Sequence, residues 1–124
     1  MNKNFNDLAQ LIARVGFGAL MLTHGIPKIG MLSNPSEFAD PLGIGGTLSL
    51  ILVLIAEVIA PVLVIIGFKT KLATIPIILT MLTAALVFHS QDPFGVKEKA
   101  LLYVVAFTVI LLAGPGKYAI DKKG

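Results

Sequence analysis

The chain has 124 residues, of which 56% are hydrophobic and only 14% charged, and its mean hydropathy is +0.88. A soluble domain carries about 25% charged residues, so this composition excludes an ordinary soluble fold and indicates a polytopic helical membrane protein. The absence of cysteine excludes thiol nucleophiles, disulfide exchange, iron–sulfur ligation and Cys-type zinc sites on this chain. The net charge of +3 comes without a dense basic stripe interleaved with aromatics, so nucleic acid is not an expected partner.

The first apolar run covers about residues 8–26. Arg14 interrupts its middle and no small-residue cleavage site precedes a soluble domain, so the run reads as a retained span rather than a signal peptide. Asp7 stands where an N-cap would. Arg14, Phe17, Met21, His24 and Lys28 recur at spacings of three and four, which places them on one helical face. Gly16, Gly18 and Gly25 allow close approach of a neighbouring backbone. Gly25 and Pro27, in HGIPK, are expected to stop the helix. The connection that follows, to about Gly46, contains Pro35 and Pro41 and several glycines. It is expected to be largely irregular, with a short interfacial turn near Ser36–Ala39.

The second run covers about 46–67 and reads GGTLSLILVLIAEVIAPVLVIIGF from Gly45. Crossing a bilayer takes about 20 residues of helix. Glu57 therefore lies near mid-membrane, where an ionisable side chain requires a partner or a task. Pro61, four residues on, has no N–H for the Glu57 carbonyl, which predicts a kink and a free acceptor at the charged position. The third run covers about 71–89, ending at His89, and the fourth about 96–113, beginning with Lys97, Glu98 and Lys99. Thr74, Thr80 and Thr83 can bond back to their own helix. Gly114-Pro115-Gly116 closes the fourth run, and a basic tail follows.

These runs predict an all-α fold: an integral-membrane, antiparallel four-helix bundle forming one domain over residues 1–124. Both termini then share one side with Lys3, Lys69, Lys71, Lys117, Lys122 and Lys123, against Lys28, Lys97 and Lys99 opposite. The positive-inside bias puts both termini in the cytoplasm.

Arg14, His24, Lys28, Glu57, His89 and Glu98 form the candidate ligand-binding pocket. Arg14 with Glu57 is the sharpest expected pair, either as a structural ion pair or as the charged floor of a cavity. His24, His89 and Glu98 are expected near the outer mouth. There they could hydrogen-bond and protonate a quinone, bind a divalent metal, or simply face headgroups.

Taken in order, these features resemble the DoxX family of small four-span bacterial membrane proteins. They are an interior Arg14 leading to HGIPK, AEVIAPVLVIIGFKTKLA at 56–73, FHS at 88–90, Glu98 opening the fourth span, and GPGKYAID at 114–121. The resemblance implies placement in the bacterial inner membrane and an association with quinone-linked oxidoreductases or redox stress; it leaves the cofactor open, with quinone one candidate, and suggests a membrane oxidoreductase or a second copy as partner. The alternatives are a non-catalytic assembly subunit of a larger complex and a small-molecule transporter.

Overall fold

A computed structural model describes residues 3–121. Lys122 and Lys123, which enter the charge balance above, lie outside the described residues. Every regular element among the described residues is helical. Helix α1 spans Lys3–Gly25 and passes directly into a 3₁₀ segment, Ile26–Ser33, with a further short 3₁₀ turn at Pro35–Glu37. Helix α2 (Gly46–Leu54) continues through a π-helical turn, Ile55–Ile59, into α3 (Ala60–Ile66). Helix α4 (Thr70–Thr83) ends in a second π-helical turn, Ala84–Phe88, and α5 spans Phe94–Ala113.

Three helical stretches are long and apolar enough to cross a membrane: Phe5–Ser33, Gly46–Ile66 and Thr70–Phe88. Helix α5 has the length, with 20 residues, but Lys97, Glu98 and Lys99 occupy its first two turns. Helix α1 packs on α3 and α5, and α4 packs on the same two helices. Met21, Val64, Ile77, Phe107 and Ile110 fill the space between them. In lipid such contacts hold helices together by close packing rather than by exclusion of water.

Two expectations about α1 change. Asp7 is not its N-cap: it lies within the helix, is buried, and accepts the backbone N–H of Lys117 at 3.3 Å. Gly25 and Pro27 do not stop the helical path either. Gly25 keeps helical angles (φ −80°, ψ −41°), and Pro27 falls in the first turn of the 3₁₀ segment, where a missing N–H costs nothing.

The π turn in the second span follows from Pro61. With no N–H there for the Glu57 carbonyl, the ladder is offset, and Ala60 donates five residues back to Ile55. The Glu57 carbonyl faces Gly25 so closely that a Cβ on Gly25 would collide with it. Gly25 therefore serves the crossing of α1 over the π turn. Gly18 has a similar role against Pro61 and Ile65, whereas Gly16 faces open space.

Gly67 closes α3 in the left-handed region at φ 77°. In a bilayer the last carbonyls of a helix must find donors inside the protein. Here each does. Leu63 accepts from Gly67 and Phe68, at 2.9 and 3.0 Å, and Val64 from Gly67 at 3.2 Å. Ile66 and Gly67 accept from Ile120 (3.1 Å) and Asp121 (2.8 Å). The segment beyond α5, expected as a basic tail, is thus a strap that folds back onto the end of α3.

Candidate functional site

The six residues singled out in the sequence do not gather in one pocket. Arg14 is fully buried and does not meet Glu57. One terminal nitrogen donates to Val64 O at 3.3 Å and Ile65 O at 3.0 Å; the other donates to Tyr118 O at 2.7 Å. Arg14 therefore completes the capping of α3 and ties the strap to it. The planar guanidinium suits this task because its donors fan out in one rigid fork. Its Nε has no partner among the described residues.

Glu57 pairs instead with Lys28, whose Nζ lies 2.8 Å from Oε1. The carboxylate is 2% exposed and the lysine side chain 30%, so the lysine reaches in from the end of the bundle to a buried acid. The 3₁₀ extension of α1 makes this possible, since it carries Lys28 back over the π turn that holds Glu57.

His24, one turn before Lys28, sets its ring edge-on to Tyr103 with centroids 5.4 Å apart. A groove of about 340 Å³ runs along this contact, between α1 and α5. Phe17, Leu20 and Leu102 form its apolar walls, and Thr23, His24, Lys99 and Tyr103 its polar end. Phe17, Leu20 and Leu102 are all exposed, so the groove opens on the outer surface of the helices.

His89 and Glu98 do not join this cluster. His89 Nδ1 is 2.7 Å from Asp92 Oδ2 in the turn between α4 and α5, and Glu98 is exposed on α5. Neither lines the groove. Among the described residues no three histidine or acidic side chains gather as a metal site would require, so the metal reading of His24, His89 and Glu98 loses its geometric basis. Conversely, Lys99 and Tyr103 were not expected in the site. Tyr103 is buried, yet it lines the groove. Their four-residue spacing on α5, which puts them on one face, was the available signal.

The connection after α1 has its own anchor. Asp40 accepts from the backbone N–H groups of Ile44 (2.9 Å) and Gly45 (2.7 Å) and from the Ser49 hydroxyl (3.0 Å). These bonds, led by that from Gly45, hold its carboxyl below the usual carboxylate range.

The chain is 28% identical over 124 residues to the inner membrane protein YqjF of Escherichia coli K12, covering 97% of this chain and 95% of that one. It is 28% identical over 123 residues to the inner membrane protein YphA of the same organism, covering 91% and 88%. No solved structure matches it. The DoxX family model matches residues 9–90, a stretch that contains Arg14, the His24–Lys28 turn, Glu57 with its π turn, and His89: the chain belongs to the DoxX family.

Proposed function

We propose that this protein is a single-domain, four-span inner-membrane subunit, with both termini cytoplasmic, that binds a quinone in the groove between α1 and α5. It passes the reduced or oxidised ring to and from a membrane oxidoreductase. The observation that carries this reading is the meeting of His24 and Tyr103 at the polar end of an otherwise apolar groove open to lipid. A quinone head needs hydrogen-bond donors at its carbonyl oxygens and an apolar path for its tail. His24 and Tyr103 supply the donors, Lys99 favours the anionic reduced ring, and Phe17, Leu20 and Leu102 accept the chain. Reduction takes two electrons and two protons. The electrons come from the partner; the cysteine-free chain offers no thiol or iron–sulfur centre to supply them. His24 and Tyr103 stand where the protons are needed, and the Lys28–Glu57 pair behind them steadies the field. The fourth span, α5, crosses with its charged first turns at the outer interface, where Lys97 Nζ donates to Ser90 O at 3.2 Å.

The test is quinone binding to the purified protein in detergent, measured for wild type, His24→Ala and Tyr103→Phe. Weaker binding in both variants supports the site. No binding by wild type, or binding that both variants preserve, removes it.

One observation favours a second reading, a non-catalytic assembly subunit. Ala9, Ile12, Gly16 and Ala19 share the outward face of α1 and are exposed, with open space beside Gly16. Such a face admits a neighbouring helix closely. Co-purification of a stoichiometric partner that Gly16→Leu releases, with no quinone retained, would select this reading.

A further inference from the structure

A second cleft, of about 350 Å³, opens at the far end of α1 from His24, about 20 Å along the helix at 1.5 Å per residue. Asp7 and Gln10 of α1, Lys71 of α4, and the start of the strap from Ala113 to Lys117 line it. The ends of α3 and α5 and the beginning of α4 all lie here, at the level where a spanning protein meets lipid headgroups.

The walls of the cleft differ in charge. Lys71 and Lys117 provide ammonium groups, and neither forms an ion pair among the described residues. Asp7, 8% exposed, lines the same cleft as Ala113 and Gly114, at the negative end of the α5 dipole. Gln10 fixes this wall by donating to Ala113 O at 2.8 Å and Gly114 O at 3.4 Å. Asp7 is itself held by the Lys117 N–H. A simple anion entering the cleft meets a carboxylate, and a simple cation meets two lysines. A headgroup carrying both a phosphate and a primary ammonium satisfies both walls.

We propose that this cleft binds a phosphoethanolamine group, with phosphate toward Lys71 and Lys117 and ammonium toward Asp7 and the α5 carbonyls. The group can come from phosphatidylethanolamine in the bilayer or from the free solute. A choline headgroup has no N–H to donate to Asp7, and a glycerol headgroup has no positive charge.

The experiment is a titration of the full-length protein in detergent with phosphatidylethanolamine, phosphatidylcholine and phosphatidylglycerol, read by native mass spectrometry. One charge-assisted hydrogen bond sets the expected preference for phosphatidylethanolamine over either competitor at about tenfold. Asp7→Asn keeps an acceptor for the Lys117 N–H but removes the charge, and is expected to erase the preference over phosphatidylglycerol. Lys71→Gln is expected to weaken all three lipids. Equal binding of the three lipids by wild type overturns the proposal without reference to any variant; so does a preference that survives Asp7→Asn. Soluble phosphoethanolamine that matches the lipid's affinity assigns the site to the free solute, and much weaker binding assigns it to the lipid.

Discussion

Replacing Arg14 by methionine removes the donors that serve three backbone carbonyls. Val64 O keeps a second donor, the Gly67 N–H at 3.2 Å. Ile65 O and Tyr118 O lose the bonds of 3.0 and 2.7 Å from Arg14. Leaving a buried acceptor unmet costs about 1–3 kcal/mol, so two of them give about 2–6 kcal/mol. Removal of a buried guanidinium, whose Nε has no partner among the described residues, offsets the upper part of that range. We expect a net loss of about 2–4 kcal/mol in reversible unfolding in mixed micelles, by the same magnitudes. Arg14→Lys keeps the charge but cannot span both the α3 end and the strap, and should lose about half as much. The strap should also come free in the methionine variant, so limited trypsin digestion at the exposed Lys117 should accelerate. An Arg14→Met protein as stable as wild type, with Lys117 equally protected, would refute the capping role.

Gly25→Ala places a methyl group against the Glu57 carbonyl; with backbone on both sides it should destabilise by about 1–3 kcal/mol, whereas Gly16→Ala, facing open space, should be neutral in the same unfolding assay. Lys28→Met leaves the buried Glu57 carboxyl without its partner and should cost about 3–5 kcal/mol; the double variant Lys28→Met/Glu57→Gln should recover most of it, and a double variant no better than the single one speaks against the pair. The Asp40 carboxyl is depressed in the folded protein, so its contribution is fully present above the unfolded carboxylate value near 3.9 and is lost as pH falls through the lower folded value. Amide exchange at Ile44 and Gly45 should therefore rise below about pH 4 and should already be fast at neutral pH in Asp40→Ala.

Much of the architecture was legible along the chain because the bilayer imposes a simple length rule. The expected spans 46–67 and 71–89 lie within one residue of Gly46–Ile66 and Thr70–Phe88, and the run at 96–113 is helical within Phe94–Ala113. The irregularity at Glu57 was legible too, because a missing N–H at Pro61 has a fixed consequence four residues back. The extension of α1 to Ser33 was not, since Gly and Pro break an α-helix but fit the first turn of a 3₁₀ helix. Nor was the strap: its bonds to Ile66 and Gly67 are between main-chain groups, and Arg14, Gln10 and Asp7 hold it through its main-chain atoms, which have no side-chain signature.

Sequence alone determined that Arg14 and Glu57, set in apolar runs, had to be satisfied within the protein, because hydrocarbon offers them nothing. Only the tertiary structure decided by what. Every residue carries a carbonyl, so the acceptors that took Arg14 could not be told apart until the end of α3 and the returning strap met around it. Glu57 was thereby left to Lys28. The same packing of α1 on α5 set Tyr103 against His24, a contact between residues 79 positions apart in the chain, which no local periodicity encodes.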